Sequence, residues 1–126
     1  MIDQLGNKIS MALSKDILWV HKNQCRAFAE NKFYSFKTND IEIEQSPEED
    51  TSDPVYSQTA TLLVTMNEAE RLLFHNQNVI IILTTLRGKE IVWGTKQYPV
   101  HCIALPNLDN NVSLNLSCKT PEPLRY

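Results

Sequence analysis

Hydrophobic and small polar residues alternate along residues 111–118 more regularly than anywhere else in the chain. Successive side chains of a strand point to opposite faces, so this pattern predicts a strand with one buried face and one wet face. We expect this strand to form an exposed edge of the sheet. Four apolar side chains fall on one face and three polar ones on the other: Val112, Leu114, Leu116 and Cys118 against Ser113, Asn115 and Ser117.

Other segments predict strands from their β-branched and aromatic residues or from the same two-residue alternation. The segment 79–86 is apolar on both faces, which is typical of a central strand covered on both sides. In the segment 55–66, hydrophobic side chains fall on one face and threonines on the other. The pattern of residues 23–31 does not decide between a helical turn and a further strand. The predicted strands, besides the one above, are 16–21, 33–37, 41–44, 55–66, 79–86, 90–94 and 99–105.

Two short helices are also expected. Apolar residues recur every three or four positions across 2–13, as in an amphipathic helix, although Gly6 costs about 1 kcal/mol relative to alanine there. We expect that helix to cover the protein's own sheet, with a packing arm for a neighbouring subunit as the alternative. The second helix follows Asn67, whose side chain caps it together with Glu70, and ends at 75–76. Its expected packing residues are Leu72, Leu73 and Phe74.

Turn-forming and charged segments connect these elements within one domain that spans 1–126. Residues 46–54 hold two prolines, four acidic residues and no large apolar side chain, so we expect a mobile acidic loop. Residues 87–89 form a tight turn around Gly88. Residues 119–126 include two prolines and should leave the sheet as an extended tail. The sequence therefore predicts an α+β fold with a predominantly antiparallel, sandwich- or barrel-like sheet and one or two short helices.

The charge of the chain argues against nucleic-acid binding. Twelve Lys and Arg against 15 Asp and Glu leave a formal net charge of −3 over 126 residues. The acidic residues crowd into 40–53, which we interpret as a solvated face. No apolar run approaches the ~18 residues that span a bilayer, and residues 1–16 have neither a basic start nor an apolar segment. We expect no membrane partner and a cytoplasmic location.

The residue patterns of common enzymes and metal sites are not found. Three isolated glycines do not make a phosphate-binding loop, and scattered histidines and cysteines make neither a metal pattern nor a disulfide framework. His101 and Cys102 are neighbours on a predicted strand, so their side chains point apart rather than forming a nucleophile–base pair. Glu42 and Glu44 share a face, but we expect it to be solvated. We therefore expect no catalytic residue, cofactor or metal ion.

Aromatic residues supply candidate contacts instead. Trp93 and Tyr98 flank a Gly-Thr-Lys-Gln turn, and both residue types are favoured at interaction hot spots. The alternative is that both complete the core. Together with the predicted edge strand and tail, the candidate interface residues are Trp93, Tyr98, Pro99, Ser113, Asn115, Ser117, Leu124 and Tyr126.

One stretch carries a resemblance to a known class of protein. An apolar strand at 79–86 is followed by a glycine turn, then by 92–95 (VWGT) and 98–100 (YPV). This order is similar to small prophage structural proteins, tail or head–tail joining subunits with a G-[ST]-x-x-[YF]-P stretch near the end. The resemblance covers roughly a quarter of the chain and brings no catalytic residues. It implies a β-rich subunit that works by self-association, in a virion if the chain is phage-derived.

These observations favour a non-enzymatic assembly or interaction protein, a homo-oligomer that acts through strand edges and aromatic contacts. The alternative is a small-ligand-binding domain with its pocket between sheet and helix and with Trp19 or Trp93 as a wall. A hydrolase built on Cys102 or His101 is the third hypothesis.

Overall fold

The computed structural model describes residues 5–28, 32–39, 41–48, 55–109 and 111–124. Within these ranges the chain is mostly antiparallel β-structure with a single α-helix, and the main sheet curls into a half-barrel. This confirms the predicted fold class. The elements are β1 (Leu5–Leu13), a 3-10 turn (Ser14–Asp16), β2 (Ile17–His21), β3 (Gln24–Ala27), β4 (Tyr34–Lys37), β5 (Glu44–Pro47), β6 (Tyr56–Thr65), α1 (Glu68–Phe74), β7 (Gln77–Thr85), β8 (Glu90–Trp93), β9 (Val100–Pro106) and β10 (Asn111–Thr120).

The main sheet has the strand order β4-β1-β7-β9-β10-β6-β5, and β8 also pairs with β7. On one side β7 pairs with β1, whereas its other side pairs with β8 and β9 in succession. Thr38, just after β4, bridges to Val64 in β6, so the curled sheet brings β4 against β6. The strands β2 and β3 form a separate hairpin.

Two apolar clusters lie on opposite faces of β7. Val79, Ile81 and Leu83 belong to the large core inside the curl, and Ile80 belongs to a smaller cluster that includes Ile17 at the start of β2. Alternate residues of β7 are therefore buried on both sides, which confirms the prediction of a strand covered on both faces.

The predicted helix over 2–13 is wrong for residues 5–13, which form β1. Ile9, Met11 and Leu13 are spaced by two residues as well as fitting a helical stripe, and all three are buried in the main core. The two-residue period prevails because β1 pairs with β4 on one side and β7 on the other, and such tertiary context overrides local propensity. Residues 2–4 lie outside the described ranges.

The helix α1 begins as predicted but packs through fewer residues. Asn67 Oδ1 accepts the N–H of Glu70 at 2.8 Å, and the Glu70 carboxylate accepts the N–H of Asn67 at 3.1 Å, which confirms the capping box. Phe74 is buried, whereas Leu72 is 60% exposed and Leu73 37% exposed. The expectation that both leucines pack inward is wrong, because a helix of 7 residues turns only a narrow stripe toward the sheet.

Segment boundaries differ from the predictions around the acidic region. Residues 41–43 are not in a strand, and β5 begins at Glu44. The predicted loop 46–54 begins later, because Ser46 and Pro47 pair with β6. Residues 49–54 lie outside the described ranges. The open segment 23–31 contains β3, and the predicted tail begins after Thr120 because β10 extends to that residue.

The strand β10 lies inside the sheet, so the expectation that it forms an edge is wrong. It pairs with β6 along its whole length and with β9 from Val112 to Ser117. The ends of the strand order are β4 and β5. The burial alternation of β10 is nevertheless confirmed, since its four apolar side chains are buried. Alternation reports which face of a strand is buried and carries no information on how many neighbours the strand has.

Candidate functional site

The solvent-facing side of β10 places three candidate residues at the centre of an array that spans three strands. Ser113, Asn115 and Ser117 each stand directly opposite one residue of β6 and one of β9, and directly opposite residues share a face. We call these nine residues the outer face. The flanking pairs are Leu63 and Leu105, Thr61 and Ile103, and Thr59 and His101.

The outer face is uncharged apart from its histidine, and it contains exposed leucines. None of its nine residues is an acid, a lysine or an arginine. Leu63 is 38% exposed and Leu105 44% exposed, on either side of Ser113. Thr61 Oγ1 donates to Asn115 Oδ1 at 3.2 Å. Three apolar side chains, the two leucines and Ile103, thus lie among hydroxyl and amide groups that are partly bonded to one another.

A cleft of about 850 Å³ lies between β8 and the C-terminal end of β10. It forms because β7 pairs with β8 up to Trp93 and with β9 from Val100, while residues 94–99 leave the sheet between these strands. The pairing of β10 with β9 ends at Ser117, yet β10 continues to Thr120. The sheet therefore opens at this point.

Two buried polar side chains form the floor of the cleft. Trp93 and Gln58 are each 1% exposed, and Nε1 of Trp93 donates to Oε1 of Gln58 at 2.7 Å. Gln58 Nε2 donates to Oε1 of Gln45 at 2.9 Å. Gln45 also bonds both backbone groups of Leu124, accepting its N–H at 2.7 Å and donating to its carbonyl at 2.9 Å. A continuous hydrogen-bonded chain thus ties the core to the C-terminal segment.

The loop 94–99 forms one wall of the cleft. Tyr98 is 41% exposed, and its carbonyl accepts the N–H of Thr95 at 3.0 Å and the thiol of Cys118 at 3.3 Å. Gly94 has a φ of +97°, and a Cβ there would lie 3.1 Å from the Val100 side chain. The Tyr98 carbonyl thus links the loop to β10, and the backbone at Gly94 favours glycine.

The two lips of the cleft come from distant parts of the sequence. Residues 21–23, at the turn between β2 and β3, line one lip, and residues 122–124 line the other. Asn23 reaches across to β8, where its Oδ1 accepts the N–H of Val92 at 3.4 Å. Lys22 and Glu122 place opposite charges on the two lips.

The structure brings together three of the candidate interface residues at the cleft: Trp93, Tyr98 and Leu124. Trp93 is too buried to anchor a flat contact, so the alternative interpretation, that it completes the core, holds for its side chain. Pro99 follows Tyr98 in the loop, and Tyr126 lies outside the described residues. The described lining of this cleft includes no residue of α1, so it is not the ligand pocket expected between sheet and helix. Trp19 lines a separate cavity of about 300 Å³.

Two thiols are buried, and one of them, Cys118, lines the cleft together with His21. Burial raises the pKa of the Cys102 thiol to about 12 and that of the Cys118 thiol to about 11. His101 lies on the opposite face from Cys102 and pairs with Oδ1 of Asn78 at 3.3 Å. Across the described ranges, no group of three or more His, Cys, Asp or Glu is placed to hold a metal ion. None of the described helices is long and apolar enough to cross a membrane.

Sequence reasoning missed the glutamines that organise the cleft. Gln58 lies on the same face of β6 as Tyr56, Ala60 and Leu62, so it is a polar residue among apolar ones. A buried amide needs hydrogen-bond partners, and that position was the available signal. Gln45 gave no such signal, because its partners are 13 and 79 residues away.

No known protein family, curated protein or solved structure matches this chain. The geometry of the outer face and the cleft is therefore what bears on function. Both are candidate binding surfaces, one with two exposed leucines and one concave.

Proposed function

We propose that the protein is a non-enzymatic assembly protein that self-associates through the outer face. The observation that carries this proposal is the uncharged row of Ser113, Asn115 and Ser117, flanked by exposed Leu63 and Leu105. A surface without Asp, Glu, Lys or Arg sets up no strong like-charge repulsion when it meets its own copy. Apolar side chains surrounded by polar groups are the usual composition of protein interfaces.

A second copy fits this surface better than a charged partner does. Two-fold association juxtaposes the same patch from both subunits, so the patch must be self-complementary. Hydroxyl and amide groups donate and accept hydrogen bonds, which lets Asn115 and Ser117 pair with their counterparts. Two sheets that pack face to face stand about 10 Å apart, a distance that side chains of this size fill from both sides.

The size of the outer face predicts weak association. Three strands about 4.8 Å apart, with same-face residues about 6.8 Å apart, give a footprint of roughly 300 Å². A standard interface buries about 800 Å² from each partner. We therefore expect a dissociation constant above the micromolar range. Many copies held side by side compensate for a weak contact, because each further contact forms at high effective concentration.

A phage tail or head–tail joining subunit is the setting that we propose for such assembly. The resemblance of residues 79–100 to prophage structural proteins supports it, as does an uncharged contact surface suited to repeated packing. The protein then acts in a virion, or in the cytoplasm before assembly. Its partners are protein copies rather than nucleic acid or a membrane.

Sedimentation equilibrium from micromolar to millimolar concentration tests self-association. We expect the average mass of the wild-type protein to rise with concentration and that of Asn115→Asp to stay monomeric, because two carboxylates would meet at the centre of the contact. Gln24→Glu adds the same charge on exposed β3 and should associate like wild type. A wild-type protein that remains monomeric throughout, or equal loss in both variants, contradicts the proposal.

The second candidate function is small-ligand binding in the cleft. It is favoured by the volume of about 850 Å³, within the range of about 300–1,000 Å³ for ligand sites, and by Trp93 and Tyr98 in the lining. With Trp19→Phe as background, Trp93 becomes the single tryptophan, so its fluorescence reports the cleft. Quenching by a member of a metabolite panel supports this candidate, and no change with any member argues against it.

A further inference from the structure

The C-terminal residues fold back across the sheet after β10 ends. Gln45 stands directly opposite Gln58, and Gln58 stands directly opposite Cys118, so the three side chains form a row on one face of β5, β6 and β10. Leu124 bonds to Gln45, at the far end of that row. Residues 121–124 therefore cross from β10 to β5, a distance of about 10 Å for two strand spacings.

The amide of Gln45 clamps this segment in the described structure. Its Oε1 accepts the N–H of Leu124 at 2.7 Å, and its Nε2 donates to the Leu124 carbonyl at 2.9 Å. The same Oε1 accepts Nε2 of Gln58 at 2.9 Å. The side chain of Leu124 adds packing against the main core. One exposed side chain of an edge strand thus bonds both backbone groups of Leu124.

Two prolines restrict the segment between β10 and the clamp. Pro121 and Pro123 have no N–H to donate, and their rings hold φ at about −65° wherever the segment lies. The N–H of Glu122 lies 3.5 Å from Oγ1 of Thr120, a local contact at the end of β10. A chain with restricted φ loses little conformational entropy when it becomes ordered. The segment is therefore stiff, and its position depends on the clamp at Leu124.

We propose that residues 121–124 are a strap that opens and closes over the Trp93–Gln58 pair while the rest of the fold stays intact. The strap lines the same cleft as these two side chains, which are each 1% exposed. Opening breaks the two bonds between Gln45 and Leu124 and withdraws the leucine from the core. Segments held by few buried contacts open at a lower free energy than the whole domain.

The strap controls how far solvent reaches the floor of the cleft. In the closed state, Leu124 packs against the core cluster that contains Trp93. In the open state, solvent reaches the indole and the Gln58 amide. This device requires no particular occupant of the cleft and involves no residue of the outer face. It therefore stands apart from both candidate functions above.

Native-state amide exchange of the full-length protein, followed by NMR, tests local opening. We expect the Leu124 amide to exchange at a rate that urea below the unfolding transition barely changes, because opening the strap exposes little surface. The amide of Ile81, a fully buried residue of β7, should exchange at least about a hundredfold more slowly and should accelerate with urea.

Replacing the clamp should open the strap more often. Gln45→Ala removes both bonds to Leu124, so the exchange of that amide should rise at least about fivefold, the factor of two net hydrogen bonds at the low end of their range. The matched control is Ser46→Ala, the next residue of β5, whose side chain is exposed and points to the opposite face. It should leave the exchange unchanged.

A second variant loosens the strap and keeps the clamp. Pro123→Ala frees φ in the open state, so the Leu124 amide should exchange about two- to fivefold faster with Gln45 still in place. Pro106→Ala, at the exposed end of β9, is the matched control and should have no effect on that amide.

Acrylamide quenching measures whether opening uncovers the floor. With Trp19→Phe as background, Trp93 is the single tryptophan of the chain. We expect Gln45→Ala to increase the quenching of Trp93, since its indole is exposed in the open state, and Ser46→Ala to leave it as in the background protein.

Three results would overturn the strap. If Leu124 exchanges as slowly as Ile81 and with the same urea dependence, the segment leaves only when the whole fold opens. Equal exchange in Gln45→Ala and Ser46→Ala would show that the glutamine is no clamp. Faster exchange at Leu124 without more quenching of Trp93 would show that the chain end frays and leaves the floor covered.

Discussion

The indole N–H of Trp93 donates to Oε1 of Gln58 at 2.7 Å, between two side chains that are almost fully buried. Gln58 in turn donates to Gln45 on the edge strand β5, and Gln45 bonds the backbone of Leu124. Trp93 closes the core, Gln58 satisfies its polar group, and the same amide chain fixes one lip of the cleft. The core and the candidate binding site are therefore built from the same residues.

Replacing Gln58 with leucine should destabilise the protein by about 1–3 kcal/mol, since it leaves the Trp93 N–H buried without an acceptor. Gln45→Ala removes an exposed partner, and we expect a loss below about 1 kcal/mol. Urea unfolding followed by fluorescence measures both. A Gln58→Leu protein as stable as wild type would show that this hydrogen bond contributes nothing to folding.

Gly6→Ala should cost about 1–3 kcal/mol, because the added Cβ would lie 2.8 Å from the carbonyl oxygen of Thr84, where β1 approaches β7. The matched control is Gly88→Ala, which has open space around it and a φ of +85°, so it costs only the strain of about 1–2 kcal/mol for a left-handed residue. Thermal unfolding compares them. If Gly6→Ala leaves the stability unchanged, the added Cβ does not clash with the Thr84 carbonyl oxygen.

Asn67→Ala should cost about 1 kcal/mol, since it removes the acceptor for the N–H of Glu70 at the start of α1. Leu72→Ala in the same helix should change stability by less than about 0.5 kcal/mol because that side chain is exposed. Denaturant midpoints of the two variants provide the test. A larger loss for Leu72→Ala would mean that α1 packs through its leucines, as the sequence suggested.

The buried thiols predict how stability depends on alkaline pH. The pKa values of Cys102 and Cys118 rise to about 12 and about 11 in the fold, so the unfolded chain loses these protons first. Their contribution to stability is intact below about pH 9 and is lost as the pH rises toward the folded values, at up to about 1.4 kcal/mol per pH unit for each thiol. Unfolding free energies of wild type and Cys118→Ala over that range measure it. An equally steep decline in the variant would show that other groups are responsible.

The sequence predicted the elements whose local pattern agrees with their tertiary setting. The burial of β10 and β7 is predicted correctly because it follows from local residue type. In β10 every second residue is apolar, and in β7 nearly every residue is. Residues 5–13 were misread because Ile9 and Leu13 fit both a helical and a strand period, and only the pairing with β4 and β7 decides between them.

The candidate site was less accessible from sequence than the fold was. Ser113, Asn115 and Ser117 were placed on a wet face, yet their position in the middle of the sheet depends on partners more than 40 residues away in β6. The cleft depends on β8, the loop 94–99, β10 and the hairpin turn meeting at one place. No local pattern encodes such a meeting. The position of Gln58 in an apolar register signals a buried amide but not the cleft, and Asn23 emerged only from the structure.

Concentration-dependent amide NMR of the wild-type protein tests self-association through the outer face. On raising the concentration from micromolar to millimolar, we expect shifts that cluster at Ser113, Asn115, Ser117 and their β6 and β9 neighbours, and that vanish in Asn115→Asp. Spectra that do not change with concentration, or shifts that cluster elsewhere, would contradict it.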